Sequence, residues 1–216
     1  MTKTETATNP EAAAPRTRDG KTTREALVTA ATQLMHVHGY HNTSVDDVLR
    51  ASGVGKGNFY YHFRSKEELG YAILDQIIAA FLERALAPCF ADADGAPLEQ
   101  IRCFVDRVLE AQRRSNCIGG CLMGNLASEL SDVHEGFRAR LATLFTAWHA
   151  RLAEALTEAR RRGDVTVACE PQAVARFVVA ALEGGILLTK VSKDIRVMEQ
   201  CVSELRRSLA AYEVAR

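Results

Sequence analysis

The chain has 216 residues, 47% of them hydrophobic and 25% charged, with a formal net charge of zero. These values fit a folded chain with a core of ordinary size, and they exclude a protein whose partner is chosen by bulk charge alone. The longest apolar run, Phe177 to Leu188, is interrupted by Glu183 and two glycines and is too short to span a bilayer, so no membrane partner is expected.

Residues 1–20 are rich in Thr, Ala, Pro and Glu without apolar periodicity, and are expected to form a disordered basic arm. Arg16, Arg18 and the adjoining Lys21 either touch a DNA backbone or are simply solvated. No apolar leader is visible at the N-terminus, and the six cysteines lack the paired spacing of a zinc site. The expectation is a cytoplasmic protein with reduced thiols, no metal and no cofactor.

Thr22-x-x-Glu25 reads as a capping box for a first helix, in which Leu27, Ala30, Ala31 and Leu34 share one face and Gly39 is the stop. Ser44-x-x-Asp47 opens a second, short helix with Val45, Val48 and Leu49 inward, and Gly53 makes a turn. A third helix follows from Gly55 or Lys56 to His62, burying Phe59 and Phe63. Ser65-x-x-Glu68 caps a fourth, with Leu69, Ile73, Ile77 and Ala80 along one stripe. Two short helices around a glycine turn make a helix-turn-helix, whose second helix enters the DNA major groove.

Beyond this head the patterns stay helical. Pro88 and the segment from Asp92 to Pro97 read as a loop. Helices are expected over Leu98 to about Ser115, Cys121 to Leu130, a long stretch ending at Gly163, one opening at Pro171, and one around Met198 to Leu209. The fold class is therefore all-α. A helix-turn-helix head of three helices (residues 21–66) precedes a larger helical body (67–216) for ligand sensing and dimerisation.

Lys56 and Asn58 supply donors at the start of the third helix, where base edges come within reach, and Gly57 lets the backbone approach. Thr43, Ser44, Tyr60, His62 and Lys66 suit phosphate contacts, and Tyr61 suits either the core edge or a base methyl. Between Lys21 and Lys66 the basic side chains outnumber the acidic Glu25, Asp46 and Asp47. The run Gly53-Val54-Gly55-Lys56-Gly57 lacks the spacing of a nucleotide-binding loop.

The stretch from Thr22 to Leu74 resembles, nearly residue for residue, the DNA-binding signature of TetR-type transcription regulators. That resemblance implies Lys56, Gly57 and Asn58 facing the bases, and Thr43, Tyr60, His62 and Lys66 on the backbone. It further implies a homodimer built on the last two long helices, a double-stranded operator and a small-molecule inducer. The blocks Gly120-Cys121-Leu122-Met123-Gly124-Asn125-Leu126, followed by Glu129, and Glu183 to Lys190 resemble a narrower, electrophile-responsive branch.

Read from its residues alone, Cys121 sits in the first turn of a helix, where unpaired amides and the dipole favour a thiolate. Lys190 is the cation expected beside it, and Cys117 is a second thiol nearby in sequence. Trp148, spaced helically with Phe145, either lines the sensing site or belongs to the core. The expected function is a non-enzymatic repressor, released from a palindromic operator by a small molecule. Two sensing routes stand open: an electrophile or oxidant captured at Cys121, or a non-covalent apolar ligand. A small helical thiol enzyme using Cys121 as nucleophile is the third reading, for which the sequence offers no base.

Overall fold

The computed structural model describes residues 20–92 and 95–214, so all of the expected arm at residues 1–20 except Gly20 lies outside it. Among the described residues the chain forms nine α-helices: α1 (Gly20–His38), α2 (Val45–Ser52), α3 (Lys56–His62), α4 (Lys66–Ala80), α5 (Pro97–Arg114), α6 (Leu122–Leu130), α7 (Glu135–Arg162), α8 (Pro171–Ser192) and α9 (Ile195–Ala210). The only extended pairing among them is an isolated bridge between Val165 and Glu213.

The helix ends follow local chemistry. Ser44 accepts from the Asp47 amide while Asp47 takes the Ser44 amide, a complete capping box. Gly53 closes α2 at φ +66°, a left-handed conformation that costs glycine nothing. Ser65 caps α4, and Glu68 reaches back to the Arg64 amide. The box read at Thr22 does not open α1, which starts two residues earlier, at Gly20.

One segment departs from the expected loop. After Ala80 the chain continues as a π-helical stretch, Phe81–Leu86, and then a 3-10 turn, Ala87–Phe90. That turn lies against α5, and Cys89 is joined there to Cys103 in a disulfide with a Cα–Cα separation of 5.7 Å. The expectation of six reduced thiols is corrected for this pair. Their separation in sequence fits no familiar pattern, and only the fold of the 3-10 turn onto α5 brings them together.

Two apolar cores run through the molecule. One gathers Leu86, Phe104, Trp148, Val178, Met198 and Leu205 from the π-helical stretch, α5, α7, α8 and α9. The other joins Leu27, Val48, Phe59, Phe63 and Ile73 of the head to Leu126, Leu130, Phe137 and Leu141 of α6 and α7. Phe137 sits against Tyr40 and Tyr71 at centroid distances of 5.1 and 4.7 Å. Gly70 leaves room for it, since a Cβ there would lie 2.6 Å from Phe137 Cζ. The head's core thus does not close on itself, and a division at residue 66 separates tasks rather than cores.

Candidate DNA-reading face and sensing pocket

The α2–α3 unit presents a polar outer face. Phe59 and Phe63 are buried, which turns Lys56, Gly57, Asn58, Tyr60 and Tyr61 to the exterior; Tyr61 is 83% exposed. His62 is half-buried beside Tyr61 and Phe63. At Gly55 and Gly57 an added Cβ would meet open space. Nothing inside the protein requires glycine there, and a glycine within a short helix costs about 0.5–1 kcal/mol relative to alanine. The fold itself thus does not demand glycine at either position, which leaves the close approach to a duplex expected of Gly57 as the role to test. Gly57→Ala is expected to raise thermal stability slightly and weaken operator binding at least several-fold; unaltered binding would refute this account.

Two expected phosphate contacts are corrected. Thr43 is only 1% exposed, and its hydroxyl donates to the Gly39 carbonyl at 2.8 Å. Lys66 turns inward, donating to the Tyr40 carbonyl at 2.9 Å with its ammonium 4.3 Å from the Tyr40 ring centre. Burial holds its pKa below the usual lysine range, against the opposing pull of Glu129. Both side chains brace the turn between α1 and α2. Ser44 is exposed, but its hydroxyl and amide are spent on the capping box.

In the body, a cavity of about 310 Å³ is lined by Cys121, Asn125, Phe145, Glu183, Gly184 and Lys190, among others. Cys121 and Lys190, expected side by side, both line it. Lys190 donates to Asn125 Oδ1 at 3.2 Å, and Asn125 Nδ2 donates to the Gly119 carbonyl at 2.7 Å. Cys121 caps α6, its sulfur accepting from the Gly124 amide at 3.4 Å.

The expected thiolate is overturned. Burial, and then the neighbouring Glu183 carboxylate, push the Cys121 thiol up to about 12, outweighing the Gly124 amide. Burial also raises Glu183, whose carboxylate lies against Gly124 and has one oxygen with no hydrogen-bond partner among the described residues. At neutral pH Cys121 therefore holds its proton as a thiol. Trp148 is corrected as well: it is 1% exposed, packed among Phe81, Phe104 and Phe145, and only Phe145 of that cluster lines the cavity. Cys117 is buried in the loop before α6.

The sequence assigns no role to four residues of the site: Asn125, Glu129 and Glu183, which appear only within the blocks of the narrower resemblance, and His36. Glu129, on α6, accepts from the Tyr40 amide at 2.8 Å and from both the amide and ring Nδ1 of His41, at 2.6 and 2.7 Å. The available signal was a polar residue inside an otherwise apolar helical pattern, as at Asn125 and Glu183.

Residues 27–73 match the family described as bacterial regulatory proteins, tetR family, and residues 97–205 match the tetracyclin repressor-like C-terminal domain. The chain belongs to the TetR family. It is a DNA-binding transcriptional regulator, not an enzyme. It is 32% identical over 173 residues to the transcriptional regulator AcuR of Cereibacter sphaeroides, covering 80% of this chain and 78% of that one. It is 28% identical over 192 residues to the transcriptional repressor NemR of Escherichia coli, covering 89% and 96%. Among solved structures, a regulatory protein TetR from Rhodobacter sphaeroides superposes with a TM-score of 0.78 at 30% identity over 86% of this chain and 97% of that one. The reduced form of E. coli NemR gives 0.71 at 28% identity over 86% and 96%. This TetR-family chain has no helix, among its described residues, long and apolar enough to cross a membrane.

Proposed function

We propose that the protein is a homodimeric cytoplasmic repressor, released from a palindromic operator when a small reactive electrophile enters the pocket and is captured by Cys121. The observation that carries this reading is the convergence of a thiol, a carboxyl and an ammonium on one cavity otherwise lined by Asn125, Phe145, Ile186, Leu187, glycines and small side chains. An α,β-unsaturated carbonyl fits it chemically. The sulfur bonds to the β-carbon as the thiol proton passes to the Glu183 carboxylate, the enolate oxygen develops its charge toward Lys190, and Glu183 then returns that proton to the α-carbon. A buried, proton-holding thiol stays unreactive until an electrophile and its base are aligned.

Dimerisation is proposed through α8 and α9. Phe177, Gly184, Leu188 and Val191 recur at helical spacing; the three large side chains are 52%, 55% and 75% exposed, and a Cβ on Gly184 would meet nothing. Gly185, next to it, packs instead against Met198 and Cys201 of its own chain. Twofold pairing places two α3 helices on half-sites about one DNA turn, or a multiple, apart.

Moving a regulator from mostly bound to mostly released takes about 5.5 kcal/mol of differential stabilisation. A covalent bond supplies this for a molecule too small to bind tightly. The second reading, a non-covalent apolar ligand, is favoured by the raised thiol pKa. The two separate cleanly with a duplex selected from a random pool by the native protein. Methyl vinyl ketone should release the native protein from it, while Cys121→Ser should bind the duplex equally well and stay bound. Equal release of the Ser variant would favour the non-covalent reading; a selected site without twofold symmetry would argue against the dimer.

A further inference from the structure

His36 belongs to no motif that the sequence singles out. In the structure it is half-buried near the end of α1, and its ring Nε2 lies 3.0 Å from the carbonyl of Gly120, 84 residues away. A carbonyl only accepts, so Nε2 carries the proton in this contact. The neighbouring Gly119 is buried, and a Cβ on it would fall 2.5 Å from His36 Nε2. On the other side, a Cβ on Gly120 would lie 3.1 Å from Lys190 Cδ. The peptide between the two glycines is thus held between a side chain of the DNA-reading head and a side chain of the sensing pocket.

Hydrogen bonds run through the same place. Lys190 donates to Asn125, Asn125 donates to the Gly119 carbonyl, and the next carbonyl, that of Gly120, takes the His36 proton. The segment that carries these contacts has little slack. Asn116, Cys117, Gly119 and Gly120 all have positive φ, between 50° and 79°, and Lys193 ties down the Cys117 carbonyl at 3.2 Å. Non-glycine residues rarely hold such angles, and their clustering here marks a segment set by its surroundings. Cys121 follows directly, so anything that shifts Cys121, Asn125 or Lys190 shifts the two glycines.

We propose that His36 is the positioning residue through which the state of the pocket sets the orientation of the DNA-reading head, by way of the Gly119–Gly120 peptide. This rests on the proposed pocket only for what triggers the shift; the mechanical link itself is independent of the ligand. It gives α6 a route to the head through the end of α1, separate from the continuous path along α4. Three residues after His36, Gly39 closes the helix, and the α1–α2 turn begins.

The test needs no ligand. Gly119→Ala drives a methyl group into the His36 ring and imitates a displaced strap. Measured on the selected duplex, Gly119→Ala should weaken binding at least about tenfold in the native background, within the usual range of coupling between sites. In the His36→Ala background the same change should cost no more than about threefold, because only the strain of alanine at positive φ remains and the ring it would push is gone. His36→Gln, which keeps an N–H donor, should restore much of the sensitivity, a result that a merely structural histidine would not give. Asn125→Ala, which removes the link between Lys190 and the strap without adding bulk, is the second probe and should show the same dependence on His36. Equal penalties in the two backgrounds, with melting curves showing all variants folded, would overturn the proposal. Adduct formation with methyl vinyl ketone, followed by intact mass on DNA-free protein, keeps the two ideas apart. If no adduct forms at Cys121 but the His36 dependence holds, the link stands and the electrophile reading fails.

Discussion

Phe137→Ala is expected to destabilise the whole protein by about 3–5 kcal/mol, the usual cost of deleting a buried aromatic ring. Phe137 is fully buried, and its ring fills the space between Tyr40 at the α1–α2 turn, Gly70 on α4 and Tyr71. Little can collapse into the gap, because Gly70 has no side chain and Tyr40 is pinned through its amide and carbonyl to Glu129 and Lys66. For a chain of this size the loss corresponds to roughly 6–20 °C in melting temperature. Since Phe137 belongs to a core that joins head and body, the melt should remain one transition for both. A loss confined to the head, with the body melting at its native temperature, would show that the shared core does not couple them.

Glu129→Ala should cost about 2–3 kcal/mol, because three donors lose one charged acceptor and the Tyr40 amide is left partly buried. The effect carries a pH signature. Burial alone would raise this carboxyl, but the His41 and Tyr40 amides and the His41 ring outweigh it and hold the carboxyl below its usual range. A folded pKa below the unfolded one means that the unfolded chain takes the proton first as pH falls. The stabilisation is therefore complete above the ordinary carboxylate range and disappears as pH drops through the depressed folded value. Denaturant melts of native and Glu129→Ala proteins should differ fully at pH 7 and converge in strong acid. A gap that stays constant from pH 7 to pH 3 would contradict the assignment.

The capping serines at 44 and 65, the stop at Gly53, and the inward pair Phe59 and Phe63 were all readable, because each depends on neighbours within a helical turn. Pro171 opening α8 belongs with them. What the sequence hid were partners far along the chain. Spacing placed Cys121 correctly at the start of α6, and the dipole argument for a thiolate was sound locally. Burial under the packed body, and then Glu183, 62 residues further on, reverse it. In the same way Lys66 reads as a free cation until the Tyr40 carbonyl is seen to claim it. His36 looks like an unremarkable surface histidine until a loop 84 residues away folds onto its ring. Periodicity says which face a residue occupies; it is silent on what that face meets.

The π-helical stretch Phe81–Leu86 gives the connecting helix a second property. One extra residue per turn advances the chain's phase by about 100° relative to an uninterrupted α-helix. Upstream, Leu69 and Ile73 face the head's core; downstream, Leu86 faces the body's, with Phe81 and Leu82 touching both at the changeover. The rod therefore behaves like a key whose two ends are cut for different locks. The angle between the cuts is written in a count of residues, so a single codon gained or lost between 81 and 86 would re-aim the DNA-reading face without altering one of its side chains.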